Sequence, residues 1–341
     1  MKKNLLILSA LLCCAMIVMY ILVKGAEPDR IFTDHTRNYD RYKLQAIDTV
    51  QFPGRVSIMK VAQGNVYGYV YSKTAILKYN THLHQTDSFF TNRILPLSIV
   101  TRLEIDTNTN TFYLFDDIGK KITSYQSGTG KLDSIIYPDT TTARSFKDIY
   151  ETAFLITNYD TTKKVTQLKL RNFNAPVQDS TLYEFPRFED GGLSADGFYI
   201  RNMPSRNHFY IPFYNSGIIK YDEQHNKIQV IHTIDHTPPS NIAVPTGNIY
   251  TRSSKSIVVN STATSDQEHL YILSYVLSKD VLSSGYRGPA IDVYNIMSGK
   301  YEGSFRLPGY QNSPVLQLAK CSDTLIAAYE KNILLFKLTS Q

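Results

Sequence analysis

A unit of strand, aromatic anchor, polar turn and strand recurs along this chain at intervals close to 48 residues, and no other feature constrains the fold as much. The tyrosine copies are AILKYN at Tyr79, KITSYQSGTGK at Tyr125, GIIKYDEQHNK at Tyr221 and IDVYNIMSGK at Tyr294. In three of them a lysine stands six residues after the tyrosine, at Lys131, Lys227 and Lys300. Two weaker copies carry phenylalanine, LKLRNF at Phe173 and NILLFKL at Phe336. Successive anchors lie 46, 48, 48, 73 and 42 residues apart. A period of this length marks an architecture that repeats one supersecondary unit.

Each unit holds four short strands. Ahead of the anchor lies an apolar strand: VYGYVY, TFYLFD, TAFLIT, HFYIPFY, HLYILSY or TLIAAY. Upstream again is a further strand, such as VSIMKVA, SIVTRLEI or SIVVNST. After the polar turn comes an outer strand that opens on an acid and a hydroxyl in three units, Asp87-Ser88, Asp133-Ser134 and Asp179-Ser180. A proline then follows, at Pro96, Pro138, Pro186, Pro238 or Pro308. Proline cannot donate to a sheet ladder, so it belongs where a strand has ended. Four antiparallel strands, repeated six times, predict an all-β, six-bladed β-propeller. The long interval allows a seventh blade within 235–288. A β-sandwich is the other alternative, though it has no need of turns at fixed offsets.

The last unit stops at Gln341, just after its third strand. Residues 45–54, QAIDTVQFPG, read as the missing outer strand, because Asp48-Thr49 and Pro53 repeat the pattern of the other outer strands. The ring is therefore expected to close by pairing 45–52 with the blade that holds Phe336, which leaves no open sheet edge between the two chain ends.

With these repeats the chain resembles the six-bladed propellers of the TolB-like and NHL-like kind, including the membrane-anchored or lipoprotein forms found in Bacteroidota. Over residues 43–341 the resemblance is architectural. One local echo, Ser194-Ala195-Asp196-Gly197, is similar to the S-x-D-G turn of TolB-type blades. The resemblance implies a binding or scaffolding module, with some enzymes in the same broad group. Fold by itself does not assign function.

The N-terminus carries a second message. Leu5–Val23 is a nineteen-residue apolar run broken only by Ser9, preceded by Lys2 and Lys3 and followed by Lys24. About 20 apolar residues span a bilayer core of ~30 Å, whereas a secretory h-region is usually about 7–15 residues long. Residues 1–24 therefore read as a transmembrane signal anchor. A signal peptide cleaved after Gly25 is the alternative; Leu12 before Cys13 fits a lipoprotein signal poorly. Lysines ahead of the run keep the N-terminus cytoplasmic. The expectation is an inner-membrane, single-pass protein with its propeller in the periplasm. Residues 25–42 are polar and read as a linker, and 43–341 form the propeller.

Charge and cysteine usage narrow the function. Once Lys2, Lys3 and Lys24 are set aside, +3 of the net +6 remains for residues 25–341, too little to argue for nucleic acid. Cys321 is the one cysteine outside the leader, so no internal disulfide is expected. Cysteine–histidine metal spacing, the G-x-S-x-G nucleophile elbow and the common phosphate loops are all missing from the sequence, and neither cofactor nor metal is expected.

The candidate ligand-binding residues are arginines. Arg55, Arg102, Arg144, Arg187 and Arg252 fall near the expected starts of inner strands, and Arg287 falls in an insertion. Converging on one mouth of the central channel, they would make a basic funnel for a small anionic ligand or an acidic protein partner. Glu104, Asp148 and Glu189 are the local acids that would instead tie each arginine to its own blade. The alternative function is a hydrolase or lyase with a channel-bound divalent metal. Against it, the acids near the inner strands share no phase from blade to blade.

Overall fold

The computed structural model describes residues 11–20, 32–52, 56–70, 73–80, 82, 84–90, 100–106, 109–116, 118–127, 129–137, 143–150, 153–172, 179–188, 190–202, 204–247, 249–253, 256–280, 284–286, 288–311 and 313–341. Strand β1 (Tyr42–Gln51) comes first in the chain but belongs to the last sheet. Blade 1 follows with β2 (Val56–Ala62), β3 (Asn65–Val70), β4 (Ala75–Tyr79) and β5 (Gln85–Phe90). Blade 2 is β6 (Arg102–Asp106), β7 (Thr111–Asp116), β8 (Lys121–Gln126) and β9 (Leu132–Ile136). Blade 3 is β10 (Ala143–Tyr150), β11 (Ala153–Asp160), β12 (Val165–Asn172) and β13 (Asp179–Glu184). Blade 4 is β14 (Gly197–Asn202), β15 (Asn207–Pro212), β16 (Gly217–Asp222) and β17 (Lys227–His232). A two-stranded hairpin, β18 (Ala243–Thr246) and β19 (Ile249–Arg252), leads to blade 5: β20 (Asn260–Ser265), β21 (His269–Ser274), β22 (Ala290–Asn295) and β23 (Tyr301–Arg306). Blade 6 is β24 (Gln317–Cys321), β25 (Thr324–Ala328) and β26 (Asn332–Ser340), with β1 added outermost.

All six sheets are antiparallel and the ring is a six-bladed propeller. Among the described residues the stretch 235–288 holds the hairpin and the first two strands of blade 5, and no seventh four-stranded sheet. Closure occurs where the sequence places it. β1 runs antiparallel to β26, with Ala46 opposite Phe336 and Asp48 opposite Leu335.

The packing explains the apolar pattern. Every middle strand is covered on both flat faces by neighbouring blades, so strands such as β15, NHFYIP, are buried at every residue. Six apolar clusters fill the six seams. Blades 1 and 6, for example, meet through Val66, Leu77 and Tyr79 against Phe52, Ile326, Ile333 and Leu335. Outermost strands face water, and β9 and β17 are mostly exposed.

The Asp-hydroxyl pairs mark where those outer strands bend. In blades 1, 2 and 6 an extra residue bulges beside or within the pair, at Thr86, Asp133 and Ile47. The aspartate then ties the local backbone: Asp87 Oδ1 accepts from Ser88 N at 2.8 Å, and Asp48 Oδ1 from Thr49 N at 2.7 Å. The pair is not required for a bulge: β17 lacks it and runs in register without a shift, whereas β23 lacks it and bulges at Glu302, and in β13 the extra residue is Leu182, beyond the pair. Bulges twist an edge away from further pairing.

From residue 32 the segment read as a linker is packed onto blade 5. Thr33 N donates to Leu277 O (3.1 Å), Lys279 N to His35 O (2.9 Å) and Ser304 N to Asn38 O (2.7 Å). The last bond covers the outer edge of β23. Arg37 passes inside, 2 % exposed, and pairs with Asp292, 1 % exposed.

Candidate functional site

The inner strands β2, β6, β14, β20 and β24 surround a channel cavity of about 390 Å³. It carries four cationic side chains, Lys60, Arg102, Arg201 and Lys320, and one carboxylate, Glu104. They come from blades 1, 2, 4 and 6. At the ends where the inner strands turn back into the second strands, the channel widens into a mouth of about 900 Å³. Its rim adds Asp106, Asp266, Glu268 and His269.

Glu104 is the hub of the channel. Its Oε1 accepts from Arg102 Nε at 2.7 Å, and its Oε2 lies 2.5 Å from Lys60 Nζ. Burial alone would push this carboxyl up, but Lys60 and Arg102 outweigh burial and hold it down at about 2. Arg102 also reaches across the channel. Its Nη2 donates to Tyr199 O on blade 4 at 3.2 Å, and its guanidinium lies 5.4 Å from the Tyr199 ring centre. Lys320, on blade 6, is lowered by burial, against which Asp266 acts.

Acid stability should depend on this carboxylate. Glu104 ionises more easily in the folded chain, so the unfolded state binds more protons between about pH 4.5 and 2. Its contribution is complete above the unfolded value and is lost as pH falls through the folded one. A displacement from 4.5 to about 2 corresponds to about 3 kcal/mol. Glu104→Gln should lose about that much at pH 7, and its stability should change less between pH 5 and 2 than the parent's. Urea midpoints across that range measure both; parallel curves would refute the assignment.

Beside the channel, the Tyr199 hydroxyl bonds to His208 Nδ1, and His208 Nε2 lies 3.1 Å from Glu223. Burial lowers His208 to about 4, so it is neutral at pH 7. Tyr199 and His208 are both buried, and the relay braces blade 4 from within.

The arginines whose side chains are described do not share one place. Arg102 opens β6 and enters the channel. Arg144 lies on β10 at the same end of blade 3, its side chain beyond the described residues. Arg187 is exposed in the loop before blade 4, and Arg252 is exposed on β19. Arg55 and Arg287 lie outside the described residues, as does Glu189. Of the three whose side chains are described, Arg102, Arg187 and Arg252, the structure brings Arg102 into the channel, and it adds Lys60, Arg201 and Lys320, which the repeat pattern does not single out. Their signal is nevertheless present: each is a lone basic residue near the far end of an apolar inner strand, in VSIMKVA, GFYIRN and QLAKC. Among the described residues no three His, Cys, Asp or Glu side chains group as metal ligands.

The S-x-D-G echo has a structural task. Asp190, fully buried, accepts from Gly192 N at 2.8 Å and Ser194 N at 2.6 Å, across a Gly191-Gly192 pair at φ 62° and 88°. Only glycine takes that left-handed backbone freely. Ser194 Oγ then accepts from Ile242 N at 3.0 Å, which fixes the base of the β18–β19 hairpin.

No family's sequence pattern matches the chain, and no curated protein sequence matches it. Solved structures do match in fold. A DUF4221 family member from Bacteroides vulgatus superposes with a TM-score of 0.60 at 11 % identity, over 89 % of this chain and 99 % of that one. Virginiamycin B lyase from Staphylococcus aureus gives 0.52 at 13 %, over 87 % and 100 %. A Bacteroides thetaiotaomicron protein of unknown function gives 0.51 at 9 %, over 91 % and 75 %. At these identities the likeness is one of fold alone.

Proposed function

We propose that this chain is a non-enzymatic binding propeller, held to the inner membrane by residues 5–23 with its body in the periplasm, that seats an anionic ligand or an acidic loop of a partner protein in its channel. The observation that carries the reading is the convergence of Lys60, Arg102, Arg201 and Lys320 from four blades inside the channel, where Glu104 is the one carboxylate among the described lining residues and Asp106, Asp266 and Glu268 stand farther out at the mouth. Like charges gathered in a cavity repel, and an incoming anion offsets that repulsion. The apolar run with its preceding lysines supports the anchor. Among the described residues no helix is long and apolar enough to cross a membrane; the helix over 11–20 lies within the run.

The test is titration of the full chain in detergent with three probes: inorganic phosphate, citrate and an acidic octapeptide. At least one should bind, more weakly at high salt. Lys320→Gln should weaken it by about tenfold, the loss of roughly one charge-assisted hydrogen bond. Unchanged affinity in Lys320→Gln, or no binding of any probe in low salt, overturns the reading.

A further inference from the structure

The two faces of the ring differ in what they expose. One face carries the loops that join each outer strand to the next blade, together with the turns between second and third strands. The hairpin β18–β19 stands on this face, with Ile249 64 % and Tyr250 45 % exposed and Val244 exposed beside them. In blade 2 the turn after β7 presents Ile118, 69 % exposed, at a tip tied by Asp116 Oδ1, which accepts from Ile118 N and Gly119 N. Tyr137, after β9, is exposed at the same end. Around the opposite face, where the 900 Å³ mouth opens, Met297 is the one large apolar side chain exposed in a turn among the described residues.

The apolar tips are interspersed with bases. Lys73 and Lys164, on the turns of blades 1 and 3, are exposed, as are Arg187 and Arg252. The Tyr250 ring lies beside Gly191, in the loop before blade 4 that also carries Arg187. Apolar and aromatic tips among lysines and arginines match the boundary of an anionic bilayer, where rings sit at the headgroups and basic groups meet phosphate.

The chain's own path says which way this face points. Phe32 bridges Leu277, in the loop between the second and third strands of blade 5, so the N-terminal segment enters the propeller on the same face. Eight residues, 24–31, separate Phe32 from the apolar run that ends at Val23. However those eight residues are arranged, they reach no more than about 29 Å.

We infer that the long-loop face is a docking surface for the anionic bilayer that holds the N-terminal segment. Val244, Ile249 and Tyr250 enter the headgroup–acyl boundary, Lys73, Lys164 and Arg252 face lipid phosphates, and the channel mouth opens away from the membrane. Docking of this kind rests on the anchor of the proposed function and is independent of what the channel binds.

The chain has no tryptophan, so one introduced tryptophan is a unique reporter. Tyr250→Trp and, on the opposite face, Met297→Trp alter exposed side chains and leave the fold intact. Each full chain is reconstituted into phosphatidylcholine vesicles containing phosphatidylglycerol and acyl-brominated lipid, and vesicle flotation is read alongside fluorescence. The Tyr250→Trp signal should be quenched by about half or more, as expected for a ring at the acyl boundary, and the Met297→Trp signal hardly at all. In vesicles without phosphatidylglycerol the quenching at position 250 should fall by about twofold. A chain that does not float with vesicles overturns the anchor and the docking together. A chain that floats with equal signals at 250 and 297 overturns the docking alone.

Discussion

Arg37→Ala should lower stability by about 3–5 kcal/mol, the cost of breaking a buried ion pair from one side. Four of the five guanidinium N–H groups donate to buried partners. Nε and Nη2 donate to the two oxygens of Asp292 at 2.7 and 3.0 Å, Nη1 to Val276 O at 2.8 Å and Nη2 to Ser274 Oγ at 3.1 Å. Burial works against the charged form of Arg37, but Asp292 outweighs it and its pKa is raised. Truncation removes the partner and leaves Asp292, wholly buried, with Ser304 Oγ as its remaining donor at 2.6 Å. An unpaired buried carboxylate is the source of the loss, rather than the attraction between the pair. Arg37→Met combined with Asp292→Met should therefore recover most of the stability lost in Arg37→Ala. Denaturant midpoints of the parent and both variants give the comparison. A loss below about 1 kcal/mol in Arg37→Ala would show that the segment over residues 32–41 is not part of the folded unit.

Replacing residues 42–51 by a flexible Gly/Ser segment of equal length should abolish cooperative unfolding. β1 supplies the outer neighbour of β26 along nearly its whole length, from Tyr42 opposite Ser340 to Gln51 opposite Asn332. Its first residue, Tyr42, is buried against Phe305 of blade 5, with ring centres 6.2 Å apart. Removing the strand bares a long hydrogen-bonding edge and opens the cluster that joins blades 5 and 6. Domain stability is about 5–15 kcal/mol, and the loss of a whole strand together with a seam is of that order. The hairpin at 243–252 is the matched control: it is the same length and its two strands pair only with each other. Replacing it should leave the transition cooperative. A chain without β1 that still melts in one sharp step would mean that the ring does not depend on its closure.

Much of this architecture is legible from residue order. The four-strand unit, its six copies and the strand that closes the ring all follow from short-range periodicity and turn chemistry. These are local properties of backbone and side-chain pattern. Asp48-Thr49 can be assigned to the last blade because it repeats the outer-strand signature, and β26 has no other outer neighbour among the described residues.

Convergence is decided elsewhere. Glu104 meets Lys60 from the neighbouring blade and Arg102 reaches Tyr199, 97 residues onward, because inner strands of different blades share one axis. Arg187 and Arg252 resemble Arg102 in their sequence setting, yet the loop and hairpin carry them to the outer surface of one face. Arg37 finds Asp292 255 residues away because the segment it belongs to folds back across blade 5. Strand identity is written in spacings of two to about fifty residues. The end of each inner strand that faces the axis, and the charges that meet there, are fixed only once six seams have packed and the ring has shut.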